Sequence, residues 1–72
     1  MPDWTELIYQ HYRESGDPGD EILTDTRPWL TATYGIEPDE ARRIRDRANK
    51  ELKRQGRIER VNVRTRRLRI LA

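Results

Sequence analysis

The spacing of the apolar residues changes at Gly56, and this change constrains the fold class of the chain. Before Gly56, apolar residues recur three and four positions apart, which is typical of helices with one buried face. After Gly56, Leu68 and Ile70 alternate with Arg67 and Arg69, which is typical of a strand with one buried face and one basic face. The sequence therefore predicts an α+β domain in which helices precede a C-terminal β-hairpin.

The first helix is predicted over about residues 3–15. Asp3 is placed as its N-cap, with Glu6 at the spacing of a capping box, and Gly16 is expected to end the helix as its C′ residue. Tyr9 lies off the apolar face and is expected to be exposed. The residues of that face are Trp4, Leu7, Ile8, His11 and Tyr12.

A short strand and a second helix are predicted next. The strand covers residues 22–24, and the helix runs over about residues 26–34 until Gly35 stops it. Pro28 suits the first helical turn. The candidates for the N-cap of this helix are Thr24, Asp25 and Thr26. The side chains expected to be buried on this helix are Trp29, Leu30 and Thr33.

The third and longest predicted helix covers about residues 38–55. Pro38 fits its first position, and Gly56 is its expected C′ residue. Its apolar stripe consists of Ala41, Ile44, Ala48 and Leu52. At 100° per residue, the opposite side carries Arg42, Arg43, Asp46, Lys50 and Lys53, with Arg47 and Arg54 on its flank.

The final hairpin is predicted over about residues 58–71. In its first strand, Val61 and Val63 are expected on the buried face and Arg60 on the basic outer face. The connection, residues 64–67, lacks the Gly or Asn that two-residue hairpins favour, so a looser four-residue turn is expected.

Charge is divided unevenly along the chain. Residues 1–40 contain 2 of the 15 Lys and Arg but 10 of the 13 Asp and Glu, and residues 41–72 contain the remaining 13 basic and 3 acidic residues. Four Arg and no acid lie between positions 64 and 69. Positive charge this dense repels itself, which favours a polyanionic partner such as nucleic acid.

Several other classes of function find no support in the sequence. The 72 residues form one predicted domain, residues 1–72, without Cys and with a single His, so disulfides and the common zinc sites are excluded. His11 has no evident catalytic or metal-binding partner and is expected to pack in or beside the core. We expect no enzyme activity, cofactor, metal or small-molecule ligand. With neither a signal peptide nor a membrane span visible, we expect a cytoplasmic protein.

Two segments resemble the winged helix-turn-helix family. Residues 30–36, followed by Ala41 and Ile44, resemble the helix-turn-helix pattern, with Gly35 in the turn and Ile36 just after it. Residues 50–61 are similar to the junction between a recognition helix and a wing. Thr31 departs from the family's usual Ala, and acids at positions 37, 39 and 40 replace its usual polar or basic residues. Excisionase-like proteins and phage regulators are similar in size and also carry wings.

The resemblance implies a small double-stranded-DNA-binding protein, a transcription regulator or mobile-element factor associated with the nucleoid. Helix 38–55 would lie in the major groove, where Arg pairs fork-wise with guanine, and the wing would lie on flanking backbone or minor groove. Arg43 and Arg47 would read bases. Because of the acids at its start, we expect this helix to dock along its middle. The expected backbone contacts are Arg42, Lys50 and Lys53 on the helix, Arg64, Arg66 and Arg67 at the wing tip, and Arg60 and Arg69 on the strands' outer face.

Two alternatives remain open at the level of the sequence. The acidic first half could dock a protein partner, as some winged helices do, and the basic surface could instead cover structured RNA. The aromatic residues all lie in the first half, so a stacking platform for single strands is not expected. A homodimer is compatible with the sequence but is not indicated by any motif.

Overall fold

The computed structural model describes residues 2–62 and 64–72 and contains three helices and three strands. The predicted α+β class and the order of elements are confirmed, with β1 one residue earlier than expected. The elements are α1 (Trp4–Ser15), β1 (Glu21–Leu23), α2 (Thr26–Tyr34), α3 (Pro38–Arg54), β2 (Ile58–Asn62) and β3 (Arg67–Ile70). None of the helices in the described ranges is long and apolar enough to cross a membrane.

The three strands form an antiparallel sheet in the order β1-β3-β2. Ile22 pairs with Leu68, and Ile58 pairs with Ile70, so these four residues share the face that packs on the helices. All four are buried. The short strand β1 therefore completes the sheet beside β3, and the sheet is attached to the core through apolar side chains from all three strands.

The core is built from all six elements. Ile8, Tyr12, Leu30, Leu52 and Ile70 are at most 1% exposed. The predicted stripe of α3 is confirmed for Ala41, Ala48 and Leu52, while Ile44 is half-buried. The prediction for Thr33 was wrong: Thr33 is exposed, whereas Thr26, at the start of α2, is buried.

Tyr9 is also buried, contrary to the prediction from the face of α1. Arg57, just before β2, lies over the Tyr9 ring at 3.8 Å from its centroid. The same guanidinium donates hydrogen bonds to the Glu6 carboxylate, at 2.5 and 3.3 Å. A cation over an aromatic ring covers a face that would otherwise be open to water. Arg57 therefore fastens α1 to the hairpin, across 51 positions of sequence.

The start of α1 follows the prediction, and the start of α2 adds a contact that was not foreseen. The Asp3 carboxylate accepts a hydrogen bond from the Glu6 backbone N–H. Asp25 stands at the N-cap of α2, but its carboxylate accepts instead from Nε2–H of His11 at 2.6 Å. The His11 ring stacks on Trp29 with 4.0 Å between centroids, so His11 packs at the edge of the core, as predicted.

Two glycines end helices for different physical reasons. Gly56 has a φ of 72°, and the chain reverses through a Schellman motif in which Arg57 N–H donates to Leu52 O and Gly56 N–H to Lys53 O. Gly16 ends α1 as predicted, but as its C-cap in an extended conformation rather than as the C′ residue. A Cβ atom on Gly16 would lie 2.9 Å from Cγ2 of Ile22, so the small residue is required by the close approach of β1.

We predict that Gly16→Ala destabilises the fold by about 1–3 kcal/mol, because the added methyl group forces the buried Ile22 side chain to move. Urea unfolding measures this loss. Ser15→Ala, at the exposed end of α1, is the matched control and should change stability by less than about 0.5 kcal/mol. Equal stability of the two variants would contradict the packing explanation.

The contact between Glu6 and Arg57 predicts a dependence of stability on pH. Hydrogen bonding to the Arg57 guanidinium lowers the pKa of Glu6 below its ordinary value of 4.5. A lowered folded-state pKa gives a stabilisation that is complete above 4.5 and is lost as the pH falls through the folded value. Glu6→Gln should therefore be less stable than the wild type at pH 7, and the difference should shrink as the pH falls below 4.5.

Chemical unfolding at a series of pH values measures this difference. Glu14→Gln is the matched control, because Glu14 is an exposed acid of the same helix that makes no ion pair within the described residues. A difference between Glu6→Gln and the wild type that is constant from pH 7 to pH 3 would show that the carboxylate charge is not the cause.

Candidate nucleic-acid interface

The pairing of β2 with β3 contains a bulge that changes which side chains face the helices. Arg60 pairs with Leu68 and Asn62 pairs with Arg67, so Val61 is an extra residue without a partner. Val61 is 40% exposed, and its predicted burial was wrong. Arg60 shares the face of Ile58 and Leu68, so its predicted place on the outer face was also wrong. Val63 lies outside the described residues.

A cleft of about 340 Å³ lies between α3 and the hairpin, and we call it the basic cleft. Ile58 and Leu68 contribute its apolar part, and α3 forms the opposite wall. The inward position of Arg60 brings this side chain to face α3 across the cleft. The basic residues that line the cleft are Arg42, Arg45, Lys53, Arg60, Arg66 and Arg67.

The wall contributed by α3 follows from helical spacing. Arg42, Arg45, Asn49 and Lys53 are separated by three and four residues, so they occupy one flank of the helix, beside the buried stripe. Arg45 donates two hydrogen bonds to Asp46 at 2.9 and 3.1 Å, which neutralises the acid at this wall. Sequence reasoning missed Arg45 and Asn49. Their spacing from Arg42 and Lys53 was visible, but the side on which the hairpin packs was not.

The turn of the hairpin is held by side chains as well as by backbone. Oδ1 of Asn62 accepts hydrogen bonds from the backbone N–H groups of Arg64 and Thr65, at 2.9 and 3.3 Å. The backbone N–H and hydroxyl groups of Thr24 both donate to the carbonyl oxygen of Arg66. Arg66 has a φ of 56°, a strained conformation for a residue with a side chain. These contacts hold Arg66 at the rim of the cleft. Arg67 belongs to β3 rather than to the predicted turn.

Ion pairing separates the cations of this chain into two groups. Arg13, Arg43, Arg45, Arg54, Arg57 and Arg69 each contact a carboxylate. The Arg54 guanidinium, for example, lowers the pKa of Glu51 to about 2. The other nine of the 15 basic residues make no ion pair within the described residues. Five of these nine line the basic cleft, namely Arg42, Lys53, Arg60, Arg66 and Arg67.

Arg43 and Arg47, the expected base-reading residues, lie on the other flank of α3. They line a separate groove of about 250 Å³ beside Trp4 and Ile44, and Arg43 contacts Glu40 at 3.4 Å. The structure thus does not place them with the residues of the basic cleft. Both remain exposed to solvent, so their predicted contact with bases stays a prediction.

The remaining predicted site residues are dispersed. Lys50 is exposed on the outer side of α3, and Arg64 is exposed in the hairpin turn. Arg69 lies on the outer face of the sheet, as predicted, but its guanidinium joins Glu59 and Glu21 on the two neighbouring strands, at 2.5 and 3.4 Å. Arg69 therefore contacts two carboxylates, whereas five of the six basic residues of the cleft contact none within the described residues.

A buried hydrogen-bond junction supports the cleft from the side of the core. The Tyr12 hydroxyl lies 3.0 Å from Oγ1 of Thr26 and donates to Oδ1 of Asn49 at 2.7 Å. Burial raises the pKa of Tyr12, so the hydroxyl stays protonated well above neutral pH. These three side chains belong to α1, α2 and α3. The junction therefore fixes the three helices relative to one another beside the cleft, which Asn49 lines.

Comparisons with known proteins give no assignment for this arrangement: no family model matches the chain, and no curated protein or solved structure matches it. Among the described residues, no group of three or more His, Asp or Glu side chains is placed to hold a metal ion. The site is therefore interpreted from its own geometry and charge.

We predict that Asn62→Ala loosens the hairpin turn, because the Arg64 and Thr65 N–H groups lose their acceptor. Amide hydrogen exchange at these two positions should become about five to ten times faster. Asn62→Asp retains an acceptor oxygen and is the control, with exchange close to that of the wild type. Unchanged exchange in Asn62→Ala would show that the side chain does not order the turn.

Proposed function

We propose that this protein binds double-stranded DNA through the basic cleft, as a small winged-helix module. The observation that carries the proposal is a set of five cations that line one concave surface and make no ion pair within the described residues. Three helices and a three-stranded antiparallel sheet ending in a hairpin are compatible with the winged-helix architecture. On this proposal, the hairpin is the wing and α3 is the recognition helix.

The charges of α3 favour docking along the middle of the helix. Glu37, Asp39 and Glu40 are exposed at its N-terminal end, where they would repel the phosphates of a groove entered tip first. The unpaired cations Arg42 and Lys53 lie further along, on the flank that faces the hairpin. A phosphodiester backbone lying in the cleft would meet both walls at once. Phosphate contacts position a protein on DNA and supply most of its sequence-independent affinity.

A role in transcription regulation or in DNA architecture agrees with this mode of binding. The described residues pack around one small core, and the basic cleft is lined mainly by charged side chains. On this proposal, regulation comes from abundance, a partner or self-association. Selection from a random duplex library would test for sequence preference, and a palindromic winner would indicate a dimer.

The test of the proposal is the salt dependence of binding to a fluorescently labelled 20-base-pair duplex of random sequence. If five cations each neutralise one phosphate, the slope of log K against log salt should be about −4.5. Absence of detectable binding at low salt would overturn the proposal. A competing RNA hairpin that displaced the duplex at lower concentration would reassign the cleft to structured RNA.

We predict that Lys53→Gln combined with Arg60→Gln weakens duplex binding and makes the salt slope less steep by about 2, because two phosphate contacts are lost. The two residues come from opposite walls of the cleft. Arg13→Gln combined with Arg54→Gln removes the same charge outside the cleft and is the matched control. Equal slopes in the two double variants would show that net charge, and not the cleft, determines binding.

A further inference from the structure

One neutral side chain occupies the middle of the basic wall of α3. Asn49 lies four residues from both Arg45 and Lys53, lines the basic cleft and is half-buried. Its neighbours on this flank are cationic or, in the case of Asp46, are paired with a cation. An uncharged residue at the centre of the otherwise charged wall of α3 requires a separate explanation.

The two ends of the Asn49 amide have different environments. Its Oδ1 accepts a hydrogen bond from the buried Tyr12 hydroxyl at 2.7 Å. Its Nδ2 has no hydrogen-bond partner among the described residues and is accessible to solvent. Since the raised pKa of Tyr12 keeps the hydroxyl protonated, the hydroxyl remains a donor and holds the amide in one orientation. The two N–H groups of Nδ2 are therefore free donors at the wall of the cleft.

We infer that Asn49 is a further DNA-contacting residue, which donates from Nδ2 to a phosphodiester oxygen, and that Tyr12 is the residue that positions it. This inference rests on the proposed function of the basic cleft. It also explains the residue type, because Asn can accept from the core with one end and donate into the cleft with the other. A Lys or Arg side chain has no acceptor to offer the Tyr12 hydroxyl.

The fixed orientation of the amide decides what kind of acceptor it can meet. Asn recognises adenine through a bidentate contact that uses both its oxygen and its nitrogen. The oxygen of Asn49 lies against the buried Tyr12 hydroxyl, so the amide does not present its oxygen and nitrogen side by side to the cleft, and its N–H groups are the part that reaches the cleft. Beside Arg42, Lys53 and Arg60, the acceptor that fits these donors is a phosphate oxygen. Asn49 should thus contribute to affinity without contributing to discrimination between sequences.

The first experiment compares Asn49→Asp with Gln10→Glu in binding the random 20-base-pair duplex. Asp has nearly the shape of Asn and still accepts from Tyr12, but it cannot donate, and it places a negative charge in the cleft. We expect at least about tenfold weaker binding by Asn49→Asp. Gln10→Glu adds the same charge on the exposed surface of α1 and should change the affinity by less than about twofold.

The second experiment uses Asn49→Ala on several duplexes of different sequence. Loss of a phosphate contact predicts weakening by the same factor, about tenfold, on every duplex. A loss confined to particular sequences would assign Asn49 to a base and overturn the phosphate contact. Binding by Asn49→Ala and Asn49→Asp as tight as that of Gln10→Glu would overturn any contact by Asn49.

The role of Tyr12 is tested by a double-mutant cycle with Tyr12→Phe and Asn49→Ala. If Tyr12 acts by positioning Asn49, Tyr12→Phe weakens binding several-fold in the wild-type background and has no effect on binding in the Asn49→Ala background. An equal loss in both backgrounds would show that Tyr12 is only structural. Thermal unfolding confirms that each variant is folded at the assay temperature.

The outcomes for the inference and for the proposed function are separable. A wild-type protein that fails to bind duplex DNA at low salt refutes the proposed function itself. A wild-type protein that binds while the Asn49 variants bind equally well refutes only the inference. If Tyr12→Phe does not fold, Asn49→Ala, which removes the donor without adding charge, still decides whether Asn49 contacts DNA.

Discussion

Three helices meet at the hydroxyl group of Tyr12, and the position of the basic cleft depends on this meeting. Tyr12 is 1% exposed, and its hydroxyl is bonded to Thr26 of α2 and to Asn49 of α3. A buried hydroxyl without partners would cost about 1–3 kcal/mol, so the three side chains constrain one another strongly. Asn49 also lines the cleft. The junction that orders the core therefore also fixes the position of α3, which is the wall of the cleft opposite the hairpin.

In the folded protein, several acids of the first half form ion pairs with distant segments, so the charge division seen along the sequence is not the division seen on the surface. Glu6, Glu21 and Asp25 of the acidic half are each bonded to a side chain from a distant segment. Three of the ten acids of this half thus join segments of the fold, which reduces the charge that the half can offer to a protein partner. The cations that contact no carboxylate within the described part of the chain are concentrated on α3 and the hairpin, where the proposed function needs them. With the exception of Arg45, the arginines that pair with acids are not those that line the cleft.

The sequence predicted the helices well because each has an apolar periodicity and residues that are typical of helix ends. Asp3 and Gly16 bound α1, Gly35 ends α2, and Pro38 and Gly56 bound α3. The errors have a common cause, which is the dependence of burial on partners distant in sequence. Tyr9 is buried because Arg57 covers its ring. Arg60 faces inward because Ile58, two residues earlier, pairs with Ile70 of β3. Val61 is exposed because it is the extra residue of the bulge.

The candidate site was predictable in composition but not in geometry. Local sequence alone determined the α+β class, the ends of the helices and the concentration of cations after residue 40, because periodicity, capping and charge are properties of neighbouring residues. Only the tertiary structure decided which cations lie together on one surface. It placed Arg60 opposite α3, moved Arg43 and Arg47 to the other flank, and revealed Asn49 between core and cleft. These outcomes follow from how the hairpin packs on α3, which depends on contacts between segments far apart in the chain.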